Sequence, residues 1–295
     1  MANLDKLAAL TGRTVGDRGN LLVASKTKGR LGKDLTTKEG YQAARECAVE
    51  ILRAVWNTHG TLDNLRVVNL DNELIRAHLE THPQFQGVHT YGMHNDAAEF
   101  FLSEQSPTKT GTRLIMKTPD GEHGFTTTLF GSSHLSNLVG AIAMSLLLKV
   151  PIETIERAVK TVKAPAHRLE RKQVGAATLL DNAFSSNEEG FRQVMKDLTK
   201  VTGKKALLTP GVIELGTESA EIHRQLGQQA ADIFEMIYLV GDNERTQAFS
   251  QGVKTVKDLP IEILPNETNL WPLIDVLAKE YDWILLENDL PDNYS

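Results

Sequence analysis

The chain has 295 residues, enough for two domains or three small ones, and its 41% apolar and 24% charged content is ordinary for a soluble globular protein. A net charge of −6 argues against nucleic acid or an anionic membrane as partner. The lone Cys47 excludes a disulfide framework and a cysteine-based metal site; set on a helical pattern with Ala44, Ala48 and Ile51, it reads as a buried structural thiol.

The start of the chain lacks the long apolar core of a secretory signal. The longest apolar run, Leu138 to Val150, is broken by Ser145 and Lys149 and is too short to span a bilayer. A cytoplasmic location is the resulting expectation. Asn20 to Ser25 reads as a short strand, and Lys26 to Asp34 as a basic, glycine-containing loop. A helix follows, with Thr36 and Glu39 at capping-box spacing, a stripe of Tyr41, Ala44, Ala48, Ile51 and Val55, and Gly60 as its stop. Leu65 to Leu70 is the next strand, and Asn72 to Leu79 a short helix ended by Thr81-His82-Pro83.

The pieces NLLVAS, KGRLGKDLT, KEGYQAARECAVEIL, GTLDNL and RVVNL, in that order, resemble the N-terminal half of the reactive-intermediate (imine) deaminase family over residues 14–83. That resemblance implies a fold that assembles as a homo-oligomer. The second half of the family, with its substrate-binding Arg, has no counterpart here, so an intact deaminase site is not expected.

Val88 to Tyr91 is a strand, followed by a polar turn. Arg113 to Thr118 and Gly124 to Phe130 alternate polar and apolar residues around PDGE, which predicts a β-hairpin. Leu135 to Leu148 is a small-residue-rich apolar helix, and Pro151 opens another with Ile152, Ile155, Val159 and Val162 on one face. From Ala177 onward, apolar runs of about five residues alternate with amphipathic helices, which indicates a mostly parallel sheet covered on both faces. The fold class is therefore α/β: a C-terminal, Rossmann-like sheet preceded by a smaller α+β region. The expected divisions are 1–85, 86–163 and 164–295.

Loops at the carboxyl ends of such strands meet ligands. Asp181, Thr209, Glu214, Asp242 and Glu287 fall there. Asp181 shares its turn with Asn182, Ser185, Ser186 and Asn187; its carboxylate is suited to accept hydrogen bonds from a ribose, or to belong to a helix cap that the Ser186–Glu189 spacing predicts. Arg168 lies in a hinge, where its planar fork can stack on a purine or bridge phosphates, or pair with Glu170. His134 and Asn137 precede an apolar helix, and Asn137 can read a purine edge or cap the helix. The nine histidines offer no zinc spacing; His78 and His82 stand at i, i+4, but Pro83 follows at once and no third ligand is in sight. No metal site is expected, and no catalytic residue is nominated.

From about Thr90 the chain resembles the Mur ligase family, above all the enzymes that add D-alanyl-D-alanine to UDP-N-acetylmuramoyl-tripeptide. GSSHLSNLVGAIAMS corresponds to the family's GxHNxxN and Ala-rich helix, HRLE at His167 to Glu170 to its GRLE hinge, and DNAFSSNE at Asp181 to Glu188 to its DDSYNANP. TPGVIELG, the segment from His223 to Gly227 and LLENDLPDNY fit as well. The resemblance implies ATP as cofactor, with Asn137 on the adenine side, Arg168 and Asp181 holding the nucleotide from the C-terminal domain, Asp181 on the ribose, and Asn187 shaping the same turn. It also implies a UDP-muramoyl peptide as partner and amide formation through an acyl phosphate, with Mg²⁺ stabilising the transferred phosphoryl group.

Departures accompany these matches. The family's phosphate loop, G-x-x-G-K-[ST], does not occur in the 295 residues. Ser133, His134, Asn182, Ser185 and Glu188 replace family residues. The sequence thus predicts a ligase-like protein with a partial ATP site, incomplete as an autonomous ligase, to which Mg²⁺ comes only with the nucleotide. The alternatives are a nucleotide- or peptide-binding and oligomerisation module, or an imine deaminase-like protein. A join of two unrelated pieces near Pro83 to Val88 would also fit.

Overall fold

The structure, a computed structural model, describes residues 67–81, 88–108, 110–184, 187–213 and 215–288. The deaminase-like piece up to residue 66, Cys47, His82, Ser185, Ser186, Glu214 and the last seven residues from Asp289 lie outside it.

Apolar residues at alternate positions build the first sheet. Phe100 and Leu102, Leu114 and Met116, and Phe125 are buried, and their strand neighbours face away. The strands are β1 (Val67–Asn69), β2 (His89–Gly92), β3 (Phe100–Thr108), β4 (Gly111–Thr118) and β5 (Gly121–Thr127), arranged in chain order. The β1–β2 and β2–β3 pairs are parallel, the other two antiparallel. The hairpin predicted around PDGE is β4–β5. Helix α1 (Glu73–Thr81) follows β1. Helices α2 (Ser132–Leu147) and α3 (Ile152–Thr161) cover the sheet with Leu135, Val139, Ile142, Ile155 and Val159.

Two features differ from the sequence reading. The outer half of β3, Glu104 to Pro107, is exposed and carries no apolar alternation; it is a strand because it pairs with β4 from Gln105↔Leu114 to Pro107↔Thr112. The expected boundary at 85/86 crosses a sheet, since Val67 pairs with His89. The compact unit containing both sheets begins at Val67.

The second sheet comprises β6 (Glu170–Val174), β7 (Ala177–Asn182), β8 (Lys205–Thr209), β9 (Met236–Val240), β10 (Ile261–Leu264) and β11 (Trp283–Glu287), in the order β10-β9-β8-β11-β7-β6. All pairings are parallel except β6–β7. The parallel strands β7, β8, β9 and β11 are buried on both faces, as near-continuous apolar runs require, while the edge strand β10 is half exposed. On one face Leu180, Leu207, Leu239 and Leu285 meet Phe191, Met195, Leu226 and Phe249 from α4 (Glu188–Leu198), α5 (Ser219–Ala231) and α6 (Glu244–Val256). On the other, Leu179, Leu208, Val240 and Leu286 meet Leu270, Ile274 and Leu277 around α7 (Trp271–Leu277). Glycine lets α5 and α6 cross closely: a β-carbon at Gly227 would collide with the Phe249 carbonyl, and one at Gly252 with that of Arg224.

The two sheets meet at α2 and α4. Buried Asp197, on α4, accepts hydrogen bonds from the Ser132 amide at 2.6 Å and the Ser132 hydroxyl at 2.6 Å, with Lys200 Nζ at 2.8 Å from the same carboxylate. An acid from one lobe thus satisfies the N-terminus of a helix in the other. Phe130 and Leu169 also insert into the apolar core of the second lobe. Among the described residues no helix is long and apolar enough to cross a membrane.

Candidate functional site

A cleft of about 720 Å³ opens where the end of β1 faces the first turns of α2 and α4. Its lining includes Asn69, Asp71, His94, Asn137, Asn187 and Glu189. Asp71 shapes one wall: its carboxylate accepts hydrogen bonds from the backbone amides of Met93 at 2.7 Å, His94 at 2.9 Å and Asn95 at 2.9 Å, fixing the loop after β2. Asn69 accepts from the Asp71 amide at 2.9 Å and donates to Ser136 Oγ at 3.3 Å, tying that wall to α2. Asn187 is the N-cap of α4, its Oδ1 accepting from the Gly190 amide at 2.8 Å. Asn137 is exposed one turn into α2.

Among the described residues, the lining of this cleft contains carboxylates, amides and hydroxyls and no Lys or Arg. Such a surface can hydrogen-bond a base and a sugar. Among the described residues no group of three or more His, Cys, Asp or Glu side chains is placed to hold a metal ion.

The other two nominated residues, Arg168 and Asp181, sit together in the hinge between the lobes. His167 and Leu169 adopt left-handed backbone conformations, with φ of 58° and 51°. The Leu169 amide donates to Asn182 Oδ1 at 2.9 Å, and the Phe184 amide to the His167 carbonyl at 3.0 Å. His134, on α2, contacts the Arg168 carbonyl at 2.7 Å through Nε2. The Arg168 guanidinium lies 4.3 Å from the centre of the exposed Phe184 ring, a cation–π stack. Glu170 pairs instead with Lys172, at 3.1 Å.

Asp181 is fully buried at the end of β7. Its Oδ2 is 2.6 Å from Lys172 Nζ and 2.9 Å from His167 Nδ1, and its Oδ1 accepts from the Ala183 amide at 3.3 Å. Burial alone would lower the Lys172 pKa; hydrogen bonds and charge attraction from Asp181, then Glu170, outweigh it and hold the ammonium above its ordinary value. Beside it, buried Glu287 accepts both oxygens' worth of contact from Asn182 Nδ2, at 3.0 and 2.9 Å.

Of the remaining strand-end residues, Thr209 is buried and its hydroxyl accepts from the Gly211 amide at 3.0 Å, while Asp242 is exposed. His223 lies under the loop that follows β8. Its Nε2 accepts from the Val212 amide at 2.9 Å, so its Nδ1 carries the proton donated to the Ser219 carbonyl at 2.6 Å. Burial holds this imidazole below its ordinary pKa; Ser219 opposes that shift and Arg245 adds to it.

The four nominated residues thus form two pairs. Asn137 and Asn187 line one cleft, whereas Arg168 and Asp181 share the hinge cluster. The sequence reading missed Asp71, Asp197, His167 as a partner of Asp181, and Lys172. For Asp71 a signal existed, an acid just past the end of β1.

Comparison with known proteins adds a family to this geometry. The family profile described as Mur ligase middle domain matches residues 50–145, taking in part of the stretch that resembles imine deaminases. UDP-N-acetylmuramoyl-tripeptide–D-alanyl-D-alanine ligase from Buchnera aphidicola subsp. Acyrthosiphon pisum is 29% identical over 159 residues, which are 52% of this chain and 35% of that enzyme. Among solved structures, MurF from Acinetobacter baumannii superposes with a TM-score of 0.61 at 19% identity, over 75% of this chain and 48% of that one. MurF from Thermotoga maritima, in complex with ADP, gives 0.59 at 14% identity, over 82% and 54%. These structures share the fold. The chain spans about a third of that curated relative (35%) and about half of each of these two solved chains (48% and 54%).

Proposed function

Because the chain belongs to the Mur ligase family, we propose that it supplies the adenosine-binding part of an ATP-dependent amide ligase acting on a peptidoglycan precursor. The observation that carries this reading is the cleft of about 720 Å³ whose lining takes in both Asn137 and Asn187 at the lobe junction. Asn137 reads the adenine edge, and Asn187 holds the start of α4 against it. Arg168, stacked on Phe184, gives the nucleotide a flat cationic flank, and Asp181 anchors the ribose side of the hinge.

The triphosphate has a different source. Among the described residues the cleft lining has no Lys or Arg, and the run nearest to a phosphate loop, GRLGKD at Gly29 to Asp34, has Asp34 where that loop has a hydroxyl. An acid there repels phosphate oxygens instead of donating to them. A second chain, on this reading, cradles the phosphates, and Mg²⁺ arrives with the nucleotide. On this reading the substrate carboxylate becomes an acyl phosphate at the lobe junction and is taken by an amine, the substrates being a UDP-muramoyl peptide and a D-amino-acid dipeptide.

Titration calorimetry with ATP and with adenosine tests the site. Comparable binding of the two is expected, because the adenosine part supplies the contacts. Absence of heat and of thermal protection at millimolar ATP refutes it. Phosphate release by this chain alone, given ATP, UDP-muramoyl-tripeptide and D-alanyl-D-alanine, refutes the division of labour.

A further inference from the structure

His167 occupies a backbone position made for glycine. At φ 58° a β-carbon crowds the adjoining carbonyl, and only Gly, or less readily Asn, enters that region freely. A bulky imidazole persists there only if its contacts compensate. Its strongest visible contact is to the Asp181 carboxylate, 2.9 Å from Nδ1. Facing a carboxylate, that nitrogen carries the proton and donates it.

Asp181 itself has no exposed surface, yet two of its side-chain partners are partly open: 35% exposed for His167 and 31% for Lys172. The imidazole is thus a removable lid on a buried anion. Lys172 remains as counter-charge when the ring leaves, so uncovering Asp181 does not strand it. Next in the chain, Arg168 stacks over the exposed Phe184 ring at 4.3 Å, so the hinge also presents a cationic, aromatic surface beside the imidazole.

We propose that His167 occupies the ribose-diol position of the hinge. Its ring N–H makes the hydrogen bond to Asp181 that a nucleotide hydroxyl makes, and the nucleotide must displace it to bind. The inference rests on the reading of Asp181 as the ribose anchor. It makes His167 a positioning residue that lowers affinity for ligands with a diol, which must displace the ring to reach Asp181, and leaves ligands without one unaffected.

The test measures dissociation constants for ATP and 2′,3′-dideoxy-ATP on the full chain and on His167→Gly. Removing the competitor is expected to tighten ATP roughly tenfold, the worth of a regained charge-assisted hydrogen bond, and to leave dideoxy-ATP unchanged. His167→Asn, which restores a donor in a residue that tolerates the left-handed backbone, reverses most of the gain. If the glycine variant does not fold, His167→Ala removes the same ring and must show the same split between nucleotides. Equal tightening for both ligands, or none for ATP, overturns the proposal while leaving nucleotide binding intact. Absence of binding by every variant and by the parent chain refutes the nucleotide reading itself.

Discussion

The cleft at the starts of α2 and α4 and the hinge around Asp181 both looked like ligand sites in the sequence, but they are built in opposite ways. In the cleft, Asn137 and Asn187 stand exposed on α2 and α4, and the wall from β1 is held by Asp71, whose carboxylate accepts from three backbone amides. In the hinge, the charged group itself is enclosed and paired with Lys172 and His167. A polar residue that faces an opening can be altered at little cost to the fold. One that holds buried charge carries stability and recognition at once, and a substitution there changes both.

That contrast can be broken by mutation. Asp181→Ala leaves Lys172 and His167 turned toward an empty buried position, and a loss of about 3 kcal/mol is expected in urea unfolding; an unchanged midpoint would show that the hinge is no more structural than the cleft. Asp197→Ala removes the acid that receives Ser132 and is expected to cost about 2 kcal/mol, again read from the unfolding midpoint.

His223 sharpens the comparison as a buried polar group outside both sites. Its pKa is lowered in the fold, so below the ordinary value of about 6.5 the unfolded chain binds the proton first. Stability is therefore complete above that pH and falls on acidification, by at most about 1.4 kcal/mol per pH unit. His223→Gln should flatten this part of the profile between pH 7.5 and 5.5; an unchanged slope would assign the acid sensitivity elsewhere.

On the cleft side the effects shrink. Asn187→Ala removes a helix cap and is expected to cost about 1 kcal/mol. Asn137→Ala is expected to stay within about 0.5 kcal/mol of the parent in stability while weakening ATP binding measurably by calorimetry. If Asn137→Ala unfolds the protein instead, the cleft is not the open, fold-neutral surface described.

The parallel strands of the second lobe were legible because their burial on both faces writes a continuous apolar run into the sequence. β6 was not. Its residues Glu170 to Gln173 are charged or polar, since it is an edge strand held by pairing with β7. Missing that hairpin hid the partners of Asp181, because register alone brings Lys172, which pairs with Leu179, alongside it. The sequence left Asp181 between ribose ligand and helix cap; the cap of α4 is Asn187, and Asp181 is the centre of an ion-pair cluster. Side-chain partners at separations of 9 and 14 residues leave no periodic trace.

One feature of the lobe junction has a kinetic meaning. Ser132 gives both its amide and its hydroxyl to Asp197 across the junction, so the lobes cannot swing apart without releasing that amide to solvent. Deuterium uptake at the first turn of α2 would then clock the opening of the molecule, and a ligand that bridges the lobes would slow it. The helix start is a strain gauge placed where the two halves hinge.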